Sequence, residues 1–277
     1  LTETILKPAQ PPTSISTSIS TSASAPVSAS IITPALKPDV KPIAIFRFSR
    51  TEGPGYFASF LEARSIPWTL FALDEGTPVP IDLSPFAGFV FMGGPMSVND
   101  DLPWIPTVLK LIQQAIANDM PCLGHCLGGQ LMSKALGGVV TKNRVKEIGW
   151  NPVRVESSQT AREWLGDDLK TWTTFQWHGD TFSIPPDGER ILTGDACVNQ
   201  AYVIGKSLGM QCHIEMTPQI IDAWCADWAK ENVDPNLPSV QTPEEIRAVM
   251  DENLQMLNRV ADRLYAKWLV GLKYSQS

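Results

Sequence analysis

The stretch Pro121-Cys122-Leu123-Gly124-His125-Cys126-Leu127-Gly128-Gly129-Gln130 sets Cys126 between two glycines, after a short apolar run and before a helical one. That layout is a nucleophile elbow with cysteine in place of serine. Such an elbow is a sharp strand-to-helix turn that holds its nucleophile in a strained backbone and needs small neighbours, here Gly124 and Gly128. The turn aims the sulfur at the positive end of the next helix, where an anion is favoured and free backbone N–H groups can bind an oxyanion. A cysteine nucleophile needs a base to take and return its proton, and the base needs a third group to fix its tautomer. The chain has only three histidines, His125, His178 and His213. His213 with Glu215 fits the base and its orienting acid, because an i, i+2 pair on an extended segment points both side chains one way. His178 is the other candidate base, but no carboxylate is so placed: Asp180 is two residues on, and Gly179 implies a turn between them. His125, adjacent to the cysteine, points elsewhere and reads as a positioning or packing residue.

These residues need a scaffold that brings distant segments to one rim. From Pro42 onward, strand and helix patterns alternate. Ile43 to Phe46, Trp68 to Leu73, Gly88 to Met92 and Pro121 to Leu123 read as strands. Tyr56 to Ala63 and Gly129 to Leu136 read as helices, and Trp104, Ile105, Val108, Leu109, Ile112, Ala115 and Ile116 fall on one helical face. Alternation of this kind predicts an α/β fold, a mostly parallel sheet with helices on both faces. Ligands in such folds bind at the carboxyl ends of the strands, where Gly94, Cys126 and His213 all fall. Short strand signals at Val139 to Thr141 and Pro152 to Val155 predict antiparallel strands at the sheet edge. Two C-terminal helices have clear starts, Thr217-Pro218 and the capping box Thr242-Pro243-Glu244-Glu245. The second carries Ile246, Val249, Met250, Leu254, Leu257, Val260, Ala261, Leu264 and Trp268 on one face, a stripe that reads as core.

Four motifs, in order, carry a resemblance: Phe91-Met92-Gly93-Gly94-Pro95-Met96-Ser97, Gly124 to Gln130, Trp177 to Phe182, and Gln211 to Glu215. Together they resemble the class I glutamine amidotransferases, in particular the free-standing group similar to the amidotransferase domain of GMP synthase. The resemblance implies a flavodoxin-like sheet and spans about residues 41 to 230. It implies Cys126 as nucleophile, His213 and Glu215 as its partners, and the backbone N–H groups of Gly94 and Leu127 as the oxyanion hole. Gln130 and the backbone around Trp177, His178 and Gly179 would line the glutamine site. Cys212 stands where the family usually has an aromatic and Ile214 where it usually has proline, which touches substrate identity more than chemistry. The expected activity is release of ammonia from glutamine through a glutamyl thioester. A γ-glutamyl peptide hydrolase with water or an amine as acceptor is the alternative, and a non-catalytic or redox-sensing protein on the same scaffold is a third. The sequence carries neither an S-G-G-x-D-S nor a G-x-x-x-x-G-K-[ST] loop, so an ammonia acceptor would call for a separate synthetase subunit or a different reaction.

Composition narrows the field. The chain has 277 residues and net charge −7, which argues against a nucleic-acid partner held by a basic surface. No apolar run approaches the roughly 18 residues of a membrane span. Five cysteines at irregular spacing fit a reduced, cytoplasmic protein and not a disulfide framework. Cys122 and Cys225 read as small core hydrophobes, while Cys197 and Cys212 suit either core or function. Cys122, His125 and Cys126 lack zinc-knuckle spacing, so neither a metal nor another cofactor is expected. Residues 1–40 are rich in Ser, Thr and Pro, with little to bury, and are expected to be a disordered tail ahead of one domain over 41–277. They lack the basic start of a signal peptide and the arginines of a transit peptide.

Overall fold

The structure, a computed structural model, describes residues 41–273; the tail expected over 1–40 lies outside them. The first half of the fold alternates strand and helix: β1 (Ile43–Arg47), α1 (Gly55–Glu62), β2 (Trp68–Ala72), β3 (Gly88–Phe91), α2 (Ile105–Ala117), β4 (Cys122–His125) and α3 (Leu127–Ala135). The second half runs β5 (Val140–Val155), α4 (Gln159–Leu165), β6 (Thr171–Phe182), β7 (Glu189–Gly194), β8 (Ala201–Ile204) and β9 (Ser207–Met210). Three helices close it: α5 (Pro218–Asp227), α6 (Pro243–Ala248) and α7 (Met250–Leu269).

All nine strands join one sheet in the order β2-β1-β3-β4-β9-β8-β7-β5-β6. The run β2 to β9 in that order is parallel, and every pairing from β9 to β6 is antiparallel. The sheet is therefore mixed: the antiparallel part is half of it, more than an edge. The two short strands expected at Val139 to Thr141 and Pro152 to Val155 are the two ends of β5. A register shift between Lys142 and Glu147 interrupts its pairing with β6, as a bulge does.

Why helices cover both faces is visible in β1. Its first four residues are fully buried, the pattern of a parallel strand covered on both sides. Alternation sends Ile43 and Ile45 into a core with α1 and α7, and Ala44 and Phe46 into a second core with α2 and α3. Helix α2 buries Ile105, Val108, Ile112 and Ala115 at helical spacing, together with Leu111. Helices α5 and α6 begin as expected. Thr217 Oγ1 accepts from Ile220 N, and Thr242 and Glu245 form a complete capping box. The stripe read as one helix after Thr242 is two. The chain breaks at Val249 (φ −120°, ψ 11°), which is 40% exposed and not core. A β-branched residue in the bridge region ends the short α6, and α7 carries the rest of the stripe. Among the described residues no helix is long and apolar enough to cross a membrane.

Candidate active site

Strands β3, β4 and β9 lie side by side and parallel, with Phe91 beside Gly124 and Gly124 beside Gly209. Their carboxyl ends therefore deliver Gly94, Cys126 and the segment Gln211 to Glu215 to one rim of the sheet. Cys126 caps α3 with φ 48° and ψ −105°, a conformation that costs a non-glycine residue about 1–3 kcal/mol and persists only when its surroundings fix it. They do so by close approach. A Cβ on Gly124 would stand 2.5 Å from the Gly128 carbonyl carbon, and one on Gly128 would collide with the carbonyl of Phe91. Because that obstacle is backbone at the end of β3, Gly128→Ala is expected to lower stability by about 3 kcal/mol or more, read by urea denaturation.

His213 is fully buried. Its backbone N–H donates to Phe175 O at 2.9 Å and its carbonyl accepts from Thr174 Oγ1 at 3.1 Å. The segment after β9 is thus pinned to β6. The ring donates from Nδ1 to Glu215 Oε1 at 2.6 Å, and Glu215 Oε2 accepts from Ile214 N at 2.9 Å. With Nδ1 engaged, Nε2 is the free ring nitrogen; among the described residues it has no hydrogen-bond partner. Its neighbour is the Cys126 thiol, whose negative form acts on the imidazole. Gln211 Nε2 donates to Cys126 Sγ at 3.5 Å, and Gln130 Nε2 donates to Gln211 Oε1 at 3.2 Å. Trp224 sets its ring edge-on to His213, centroids 4.9 Å apart.

Electrostatics favour a charged pair here. Burial would lower the His213 pKa, but the charges of Glu215 and Cys126 outweigh it and hold it well above the usual imidazole range. Burial likewise opposes ionisation of Glu215, yet the charge of His213, then His125, and the hydrogen bonds to its carboxylate bring it down to about 2. A cavity of about 530 Å³ opens on this group. Gly94, Cys126, Gln130, Trp177, His178 and Gly179 all line it. On the rim, Gly94 is packed so closely that a Cβ there would meet Leu127 Cδ2 at 2.6 Å. Leu127 opens α3, so its N–H has no partner within the helix.

The family described as "Glutamine amidotransferase class-I" matches residues 59–225. The chain belongs to this family. A crystal structure of a glutamine amidotransferase from Methylobacillus flagellatus superposes with a TM-score of 0.83 at 43% identity, covering 86% of this chain and 98% of that one. One subunit of the glutamine-hydrolysing GMP synthase of Sulfolobus acidocaldarius is 32% identical over 141 residues, 49% of this chain and 70% of that protein. A glutamine amidotransferase structure from Thermotoga maritima shares the fold, with a TM-score of 0.73 at 24% identity over 83% of this chain and 98% of that one.

This class I amidotransferase chain corrects the expectation for His178. Gly179 makes no turn; it continues β6. The carboxylate absent from the local sequence comes instead from β5, where Glu147 is the register partner of His178. His178 Nε2 lies 3.0 Å from Glu147 Oε2 and Nδ1 lies 2.8 Å from Asp180 O. Both nitrogens are engaged, which leaves none free to act as a base. Glu147 also accepts from Gln200 Nε2 at 2.8 Å. Ligand-type atoms of Glu147, His178 and Cys197 lie within 4.8 Å of one another. Burial pushes the Cys197 thiol up to about 11, and it already contacts Thr181 Oγ1 at 3.2 Å. The cluster is thus a buried polar network that reaches the cavity lining through His178. Asp180 gains a part as well: it accepts from Ser97 Oγ at 2.8 Å and Lys142 Nζ at 2.6 Å, tying the loop after β3 to β6.

Several neighbours of the site carry no signal in the sequence. Tyr265 on α7 meets His125 Nε2 at 3.0 Å, and the same nitrogen lies 3.8 Å from Glu215 Oε2. His125 is thereby placed behind the carboxylate. Tyr265→Phe is expected to cost about 1–2 kcal/mol of stability, read by denaturation, because it strips a buried polar partner. Glu52 and Trp224 come from loop and helix positions with no motif. The rule that sites form at strand carboxyl ends would have directed attention to Glu52, which follows β1.

Proposed function

We propose that residues 41–277 form a glutamine-hydrolysing domain in which Cys126, His213 and Glu215 are the catalytic residues. His213 Nε2 takes the Cys126 thiol proton, and the thiolate attacks the side-chain carbonyl carbon of glutamine. The oxyanion is received by the N–H groups of Gly94 and Leu127; loss of one such donor raises a barrier by roughly 3 kcal/mol. The His213 imidazolium returns its proton to the nitrogen, ammonia leaves, and a glutamyl thioester remains. The same ring then deprotonates water, which releases glutamate. Glu215 fixes the tautomer and stabilises the imidazolium. Gln130, Trp177, His178 and Gly179 hold the rest of the glutamine.

The observation that carries this reading is the buried His213 ring, bonded to Glu215 through one nitrogen and free at the other beside Cys126. That arrangement has a purpose in proton transfer and none in a redox sensor. The experiment is release of glutamate and ammonia from glutamine, with mass spectrometry of acid-quenched enzyme for a glutamyl adduct on Cys126. Absence of both would overturn the proposal. The cavity volume favours a second reading, since it exceeds what a free amino acid fills: γ-glutamyl amides and peptides as substrates. The likeness to one component of a GMP synthase supports a separate synthetase as the partner that carries the ammonia acceptor. The parallel order β2-β1-β3-β4 supports the flavodoxin-like reading, and five free cysteines support a cytoplasmic one.

A further inference from the structure

Resting on the proposed chemistry, one acidic residue near the site is unused by it. Glu52 sits in the loop between β1 and α1 and lines the same cavity as Cys126. Its place is fixed from both sides. Thr51 O accepts from Trp224 Nε1 at 3.0 Å, and Tyr56 N donates to Glu215 O at 2.8 Å. Gly93 marks where the carboxylate points. A Cβ on Gly93 would collide with Glu52 Oε2 and lie 3.3 Å from His213 Cε1. Cε1 is bonded to the ring nitrogen that faces Cys126, and Gly93 adjoins the oxyanion donor Gly94. The carboxylate therefore lies near the Cε1 edge of the His213 imidazole, beside the Gly93-Gly94 turn.

We propose that Glu52 binds the departing amine and sets the enzyme's preference for leaving groups that become cations. The acids near it are already engaged. Glu215 is bonded to His213, and Glu231 accepts from Lys146 Nζ and Trp177 Nε1, both at 2.8 Å. Among the described residues the Glu52 carboxyl has no hydrogen-bond or ion-pair partner of its own, and it lines the cavity, so it is free to engage a ligand that carries or accepts a proton. Burial raises its pKa to about 7; the imidazolium of His213 opposes the shift, and Glu215 and Glu231 add to it. Near neutral pH it is thus poised to hold or to give a proton. As the C–N bond breaks with the His213 proton already on the nitrogen, the departing amine takes the Glu52 carboxyl proton. An ammonium–carboxylate pair results. The cation then departs and the carboxylate recovers a proton from solvent. By microscopic reversibility an amine that attacks the thioester passes the same group.

The test compares wild type with Glu52→Gln on glutamine and on γ-glutamyl p-nitroanilide, whose leaving group departs uncharged. The ratio of kcat/KM for glutamine to that for the anilide is expected to fall about tenfold or more, the loss of one charge-assisted hydrogen bond. A second readout is the ratio of γ-glutamyl methylamide to glutamate formed from the anilide in the presence of methylamine, expected to fall about fivefold or more for the same reason. Both are ratios within one preparation, so a partly unfolded variant does not alter them. If both substrates decline together and the product ratio holds, Glu52 is structural and the inference fails. If wild type turns over neither substrate, it is the proposed hydrolysis that fails, and Glu52 with it.

Discussion

Cys126→Gly is expected to be more stable than Cys126→Ala by about 1 kcal/mol, the reverse of the usual order for these two residues. Alanine keeps a Cβ at φ 48° and so keeps the strain of the elbow. Glycine adopts that conformation freely and gives back only about 0.5–1 kcal/mol through the entropy of its unfolded chain. Both variants are expected to lose glutamine turnover by about 10⁴-fold or more, because no other group supplies the attacking atom. The measurement is urea denaturation of the pair alongside glutamate release. Alanine proving the more stable would mean that the elbow stores no strain. Activity surviving in either would remove the sulfur from the mechanism. Together the two results separate the cost of the turn from its use: the backbone is held in an unfavourable state for the sake of where the sulfur points.

Legibility from sequence followed the range of the interaction. The elbow, the Gly93-Gly94 turn and the His213–Glu215 pair are local patterns, each set within a few residues, and they lie where strand ends were expected. Helix α6 was placed by its capping box for the same reason. What escaped was long-range. His178 acquires its acid from Glu147 only through the β5–β6 register, and no spacing rule reaches across two strands that are joined through α4 and whose bulge shifts the pairing. Glu52 acquires its surroundings from Gly93, Trp224 and Glu231, each on a different element. Val249 looked like core because it keeps the helical period, yet its bridge-region backbone breaks that period and turns the side chain out. Antiparallel strands were expected at the edge, but that they make up half of the sheet was hidden similarly. The Gly138 to Leu192 stretch shows strand signals, but pairing direction is decided by the turns that join them.

Glu215→Gln is expected to reduce glutamine turnover by about 10³–10⁴-fold while keeping the fold. The amide matches the carboxylate in shape but not in polarity. Glu215 accepts from two donors, His213 Nδ1–H and the Ile214 backbone N–H. The amide NH₂ must face one of them, so either the imidazole is driven to the wrong tautomer or a buried backbone donor is stranded. The variant also lacks the charge that raises the His213 pKa and stabilises the imidazolium. Stability should report the same loss with a defined sign. The folded pKa of Glu215, about 2, lies below the ordinary value of about 4.3, so its contribution is fully present above about pH 5 and disappears as pH falls toward 2. Taken alone that shift corresponds to about 3 kcal/mol. His213 carries the opposite sign: its raised pKa stabilises the fold below about pH 6.5, and that part is lost as pH climbs through the raised value. The two shifts describe one interaction and are not summed. Wild type should therefore show greatest excess stability over Glu215→Gln between about pH 5 and 6.5, narrowing on either side. Denaturation of both proteins from about pH 3 to 9 measures the gap. A gap independent of pH would show that the carboxylate is held for packing, and an unchanged turnover would show that the imidazole does not depend on it.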